Sequence, residues 1–114
     1  MQKYHIALTA AGKGRYRAVL TDNSDSSQQV FDDVCRETVR GKPVYVGKET
    51  GPISLWTVIV QKRGDFYRID ATDYRFWIIR FDECELDETD GQMCIQGWAE
   101  KANFWEEIEG GVAA

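Results

Sequence analysis

The chain has few of the residues that bind metals or carry out nucleophilic catalysis. Its 114 residues include one histidine, His5, and three cysteines, Cys35, Cys84 and Cys94, none of which is spaced as CxxC. Structural zinc sites use closely spaced cysteine and histidine ligands, so we expect no metal and no other cofactor. An odd number of scattered thiols also fits a reducing compartment better than a disulfide-bonded secreted protein.

Long apolar runs and targeting signals are missing as well. The longest apolar stretches, residues 53–60 and 76–81, are strand-sized and far shorter than the roughly 20 residues that a membrane-spanning helix needs. The N-terminal residues MQKYH lack the continuous apolar core of a secretory signal. We therefore expect a cytoplasmic protein with no membrane partner. Its length predicts one globular domain over residues 1–114, with residues 109–114 as a frayed tail.

The sequence motifs of common enzymes are also absent. There is no nucleophile elbow and no Walker loop, since the segment Gly47–Thr50 lacks the glycine spacing of the latter. The best candidates for an acid–base pair of carboxylates are Asp70 and Asp73, which stand within aromatic strands. We expect a protein that is not an enzyme. The alternative is a small enzyme or ligand-binding domain with a pocket between a helix and a sheet.

Alternating and apolar segments predict a mainly antiparallel sheet of about six to seven strands. Residues 4–9 and 15–20 form a predicted hairpin whose loop contains Gly12 and Gly14. Later strands, rich in aromatic and β-branched residues, are predicted at residues 44–46, 53–60, 66–71, 74–81 and 93–98.

A long amphipathic helix is predicted after the first hairpin. Ser26 and Gln29 have the spacing of a capping box, and Gly41 and Pro43 stand where a helix would stop. Between them, apolar residues recur at helical spacing: Val30, Phe31, Val34, Cys35, Thr38 and Val39. A short C-terminal helix is predicted over residues 103–109. The predicted fold is therefore α+β, in the order ββα followed by a meander, with the long helix packed on one face of the sheet.

Charge is distributed unevenly along the chain. Residues 1–80 carry 13 Lys/Arg and 9 Asp/Glu, a net charge of +4, whereas residues 81–114 carry 1 and 10, a net charge of −9, which together give −5. Most of the acidity lies in residues 82–90, where six of nine residues are Asp or Glu and none is basic. A solvated loop explains such a cluster, and so does a binding surface.

The binding hypothesis depends on strand geometry. If the strand continues past Phe81, then Glu83, Glu85 and Asp87 lie on one face about 6.8 Å apart, which is two rises of about 3.4 Å along one DNA strand. Such a nucleic-acid mimic can enter a basic groove and steer association electrostatically. The predicted partner-binding residues are six acids and two neighbouring tryptophans, which commonly anchor interfaces: Asp82, Glu83, Glu85, Asp87, Glu88, Asp90, Trp98 and Trp105.

These observations predict a non-enzymatic acidic inhibitor. Its partner would be a basic protein, such as a nuclease or another nucleic-acid-binding enzyme, with no direct contact between this chain and nucleic acid. In general character, a small acidic domain of this kind resembles inhibitor and immunity proteins, including phage anti-defence proteins. Three further hypotheses are a calcium loop at Asp87–Gly91, a phosphate-binding segment at Gly12–Arg17, and a structural subunit that self-associates through a sheet edge.

Overall fold

In a computed structural model of the chain, which describes residues 3–89 and 92–104, all of the regular secondary structure is β-strand. Side chains are described throughout these ranges except at residues 87–89, 92 and 93. In chain order the strands are β1 (Tyr4–Gly12), β2 (Arg15–Asp22), β3 (Ser27–Val39), β4 (Lys42–Lys48), β5 (Trp56–Arg63), β6 (Phe66–Asp73), β7 (Trp77–Thr89), β8 (Gln92–Ala99) and β9 (Asn103–Phe104).

The first eight strands form a closed antiparallel β-barrel. Each strand from β1 to β7 pairs with the next one in sequence, and β8 pairs with β1 to close the ring. The short β9 pairs with the beginning of β7 through Phe104 and Asn103. Because neighbours in the barrel are also neighbours in sequence, β4 and β8 lie on opposite sides of the ring.

Apolar side chains fill the inside of the barrel. The largest are Phe31 and Phe81, which are both fully buried, together with Ile6, Leu8 and Leu20. An eight-stranded barrel has an interior just wide enough for side chains to fill. Each such side chain contributes about 1.5–3 kcal/mol when it is removed from water, so the inward-facing apolar residues stabilise closure.

The long helix predicted from residues 26–40 is wrong, because these residues form most of β3 and the turn before it. The apparent helical spacing has a different cause, which is a β-bulge. Ala18 pairs with Phe31 and Tyr16 pairs with Val34, so three steps along β3 match two along β2. The additional residue allows Phe31 and Val34 to face the core together although they are three positions apart.

The residues that resembled helix caps form turns. The backbone N–H of Ser26, which has a φ of 63°, donates to the Asp22 carbonyl at 2.8 Å, and the Asp22 carboxylate accepts from Ser24. Gly41, expected to end a helix, instead shares a two-residue hairpin loop with Arg40. Both have positive φ, 78° and 52°, as a type I′ turn requires.

The predicted C-terminal helix is not found in the described part of the chain. Asn103 and Phe104 form β9, and the remainder of that segment, like the predicted tail at 109–114, lies outside the described residues. The fold is therefore all-β rather than α+β, and the described ranges offer no pocket between a helix and a sheet. Within them, no helix is long and apolar enough to cross a membrane.

Candidate partner-binding face

Strand β7 continues past Phe81 and carries the first part of the acidic segment along the barrel wall. A second β-bulge occurs here, because three steps from Phe81 to Cys84 on β7 match two steps on β6. Phe81 and Cys84 are both fully buried, whereas Asp82 and Glu83 between them are exposed. The bulge thus keeps the inner face apolar while placing two consecutive carboxylates on the outside.

Glu83 and Glu85 share the outer face of β7, since alternate residues of a strand point the same way. Both are exposed, and Glu85 pairs with Gln96 of β8. Asp87 and Glu88 also belong to β7 by their backbone. Asp90 and Trp105, two further predicted binding residues, lie outside the described residues.

Trp98 lies on the outside of β8 and is about half exposed, at 52%. Its ring contacts the imidazole of His5, with centroids 4.9 Å apart, and the Nε2 of His5 lies 3.1 Å from the Gln96 Oε1, within hydrogen-bond distance. Trp98 and Gln96, together with Glu83 and Glu85, border a surface depression of about 400 Å³. The single histidine therefore supports the tryptophan and has no catalytic neighbour of its own among these residues.

The negative charge of this region is only partly neutralised within the chain. Arg68 Nε lies 3.2 Å from Asp82 Oδ1, which is ion-pair distance, but this buried Nε makes no hydrogen bond, so the N–H does not point at the carboxylate. Neither Glu83 nor Glu85 forms an ion pair with any described residue. We refer to Asp82, Glu83, Glu85 and Trp98 as the acidic face.

The candidate carboxylate pair, Asp70 and Asp73, has two separate structural roles. Asp70 accepts two hydrogen bonds from the Arg80 guanidinium, at 2.8 and 3.1 Å, on the outside of the barrel beside the acidic face. Asp73, on the opposite face of β6, accepts from the backbone N–H groups of Arg75 and Trp77 at 2.9 and 3.0 Å. The two carboxylates therefore do not face each other as an acid–base pair would.

Directly behind the acidic face, β7 and β8 pack closely inside the barrel. A Cβ added to Gly97 would lie 2.5 Å from the Cys84 Sγ, so only glycine fits without a shift. Burial raises the pKa of the Cys84 thiol to about 12, which keeps it protonated and unreactive. This contact fixes the two strands that carry the acidic face.

Two surface features were not predicted from the sequence. The first is a group of basic residues on the hairpins β3–β4 and β5–β6. The second is the β6–β7 turn, where Tyr74 and Phe76 are 64% and 61% exposed and Phe76 has a φ of 69°. A bulky residue rarely adopts positive φ, and no sequence signal marks this turn. For the group of basic residues, the available sequence signal was the net charge of +4 over residues 1–80.

No group of three or more His, Cys, Asp or Glu side chains among the described residues is arranged to hold a metal ion. Most of the hypothetical calcium loop at Asp87–Gly91 falls on residues whose side chains are not described. Comparison of the chain with protein-family models, with curated proteins and with solved structures finds no match. The function is therefore inferred from the geometry of the chain itself.

Proposed function

We propose that this protein is a non-enzymatic inhibitor that binds a basic, nucleic-acid-binding surface of another protein through its acidic face. The observation that carries the proposal is the position of Glu83 and Glu85, exposed and without ion pairs in the described ranges, beside a half-exposed Trp98. Carboxylates supply long-range attraction and an aromatic side chain supplies contact area, which is a common division of roles at interfaces.

The carboxylates of the acidic face lie on a paired strand and not in a loop, and this rigid position favours a binding surface over a solvated loop. Glu83 and Glu85 belong to a strand that is paired for most of its length, with β6 over residues 78–84 and with β8 over residues 85–89. Their backbone spacing is about 6.8 Å, the length of two residues of strand. Carboxylates held at a fixed spacing lose little conformational entropy on binding, and a basic groove shaped for phosphates accepts them without rearrangement.

The first experiment identifies the partner and tests its chemistry. The protein is immobilised, exposed to host lysate at low salt and washed at high salt, and the salt-released proteins are identified by mass spectrometry. We expect a basic nucleic-acid-binding protein, because attraction between exposed charges is screened by salt. The purified partner should lose binding to its nucleic acid when this protein is added in equal amount.

The second experiment localises the binding. In the double variant Glu83→Gln/Glu85→Gln we expect a dissociation constant about tenfold higher, mostly through slower association at low salt. The matched control, Glu37→Gln/Glu100→Gln, removes two exposed acids from other parts of the barrel and should leave the dissociation constant within about twofold. Equal weakening in both variants would show that only net charge matters and would contradict the proposal.

Trp98 provides an independent test of the aromatic contact. We expect Trp98→Ala to raise the dissociation constant about 30-fold, as truncation of an interface anchor does, while Trp98→Phe retains most of the affinity. Unchanged affinity in Trp98→Ala would remove the tryptophan from the interface.

The alternative of self-association through a sheet edge has less support. Ring closure pairs each of the eight barrel strands on both sides, which removes the long free edges that such association uses. A small-ligand site is the other alternative, and one observation at the opening of the barrel favours it independently.

A further inference from the structure

We propose that the barrel carries a second binding site, for a phosphate-bearing small molecule, in a recess between the hairpins β3–β4 and β5–β6. This inference does not depend on the acidic face. The recess has a volume of about 220 Å³ and is lined by Arg36, Pro43, Tyr45, Val60, Lys62 and Tyr67. We refer to it as the basic recess.

The register of the strands explains why these residues meet. Arg36 pairs with Tyr45, and Tyr45 pairs with Val60, so these three form one row across β3, β4 and β5. Lys62 pairs with Tyr67 in the next row towards the hairpin ends. Because Val60 is buried at 2% exposure, the rows line the inner rim of the barrel opening. From β3 to β6, two cations therefore alternate with two half-buried tyrosines.

The charge around the basic recess has one sign. An adjoining recess of about 260 Å³ adds Lys42 and Arg63 to the lining. No Asp or Glu of the described ranges lines either recess, and Arg36 and Lys62 form no ion pair with a described residue. Cations that lie close together without a counter-charge repel each other, and an anionic ligand relieves that repulsion.

The tyrosines add neutral hydrogen-bond donors. Tyr16 packs edge-on against Tyr45, with ring centroids 5.1 Å apart. Burial, and then the nearby Tyr45 and Tyr67, raise the pKa of Tyr16, so this phenol remains protonated at neutral pH. A guanidinium, an ammonium and phenolic O–H groups are all donors, and a phosphate group offers only acceptors at its oxygens.

The size and setting of the basic recess favour a small ligand over a polymer. Val60, which lines the recess, is buried and pairs with the buried Ile69, so a ligand occupies the rim and does not enter the barrel. The chain as a whole has a net charge of −5, and the acidic face is carried by β7 and β8 on the outer surface of the barrel. A long polyanion that extended out of the recess would be repelled by this negative charge, whereas a compact phosphate ligand would remain at the inner rim.

The test is a calorimetric titration of the whole protein with inorganic pyrophosphate at low ionic strength, followed by a nucleoside diphosphate and the parent nucleoside. We expect saturable one-site binding of pyrophosphate and no binding of the nucleoside. A nucleoside diphosphate that binds more tightly than pyrophosphate would show that the tyrosines accept the ring. Equal affinity would show recognition of the phosphates alone, and both outcomes support the site.

Variants assign the binding to the basic recess. Arg36→Gln/Lys62→Gln should raise the dissociation constant at least about tenfold, since hydrogen bonds to charged groups are worth about 1.5–3 kcal/mol each. The matched control Lys48→Gln/Lys101→Gln removes two exposed cations from elsewhere and should change it less than about twofold. Tyr67→Phe, which keeps the ring and removes the hydroxyl, should weaken binding a few-fold.

Three outcomes would overturn the proposal. One is the absence of saturable pyrophosphate binding by the folded wild-type protein. Another is equal weakening in the recess and control variants, which would indicate attraction by net charge only. The third is a single-stranded oligonucleotide that binds more tightly as it is lengthened and loses that binding in Arg36→Gln/Lys62→Gln, which would assign the recess to a polymer.

Discussion

The acidic face lies on the outer surface of the barrel, the basic recess lies at the inner rim of its opening, and the two are built in different ways. The three carboxylates of the acidic face come from positions 82, 83 and 85 of a single strand, β7, whose bulge exposes Asp82 and Glu83 together. The basic recess gathers Arg36, Tyr45 and Lys62 from three strands. A site made from one stretch of chain is visible in the sequence, whereas a site made by strand pairing is visible only once the register is known.

The two regions also differ in how their side chains are held. On the acidic side, the Asp70–Arg80 ion pair and the close contact of Cys84 with Gly97 fix the outer and inner surfaces of β7. On the basic side, Arg36 and Lys62 are exposed at hairpin ends. We expect the acidic face to act as a rigid template, and the basic recess to close around its ligand by side-chain movement.

The largest effect is expected from breaking the Asp70–Arg80 ion pair beside the acidic face. Arg80→Met should lower the free energy of unfolding by about 3 kcal/mol, because it leaves a buried carboxylate without its partner; the Asp70 side chain is only 10% exposed. Urea denaturation at neutral pH measures this change. The double variant Asp70→Leu/Arg80→Met should recover most of the loss, and a loss below about 1 kcal/mol in the single variant would mean that solvent already screens the pair.

A smaller effect is expected from disturbing the contact behind the acidic face. Gly97→Ala should cost about 2 kcal/mol, since overpacking of a core costs about 1–3 kcal/mol and the new Cβ would meet the Cys84 Sγ at 2.5 Å. Adding Cys84→Ala removes the sulfur and should restore part of the stability, with a favourable coupling energy in a double-mutant cycle. Additive losses would show that the two residues do not oppose each other.

The effect that is smallest at neutral pH is a pH dependence confined to alkaline conditions. The pKa of Cys84 rises from 9.0 to about 12 on folding, so folding favours the protonated thiol. Its contribution to stability is complete below pH 9 and is lost between pH 9 and 12, with a slope of at most about 1.4 kcal/mol per pH unit. Cys84→Ala should flatten this part of the stability profile relative to wild type. Identical slopes would show that another group, such as Tyr16, causes it.

Several strands were predicted correctly from the sequence, but the segment with the most regular apolar spacing was wrongly predicted to be a helix. Predicted strands at residues 4–9, 15–20, 66–71 and 93–98 lie within β1, β2, β6 and β8. The long helix was wrong because a bulge between Phe31 and Val34 produces a three-residue spacing in a strand. Periodicity alone does not distinguish a bulged strand from a helix, although the β-branched residues of this segment favoured the strand.

The candidate sites, like the fold, were predicted from the sequence only in part. The acidic segment was evident from composition, but whether it formed a loop or a strand depended on pairing with β6 and β8. Trp98 was identified as a potential anchor, whereas its support by His5 was not, because these residues are 93 positions apart in the chain. The basic recess was missed because Arg36 and Lys62 meet only across the register of β3, β4 and β5.

The sequence by itself determined the alternation of apolar residues that fills a core, an interruption of regular structure at Gly41, and the separation of charge between residues 1–80 and 81–114. Only the tertiary structure decided that the strands close into a ring, that Glu83 and Glu85 lie on its outer surface, and that Arg36 and Lys62 lie at its inner rim. The physical reason is that closure depends on hydrogen bonds between residues distant in sequence, such as those between β1 and β8. Local preferences do not encode that pairing.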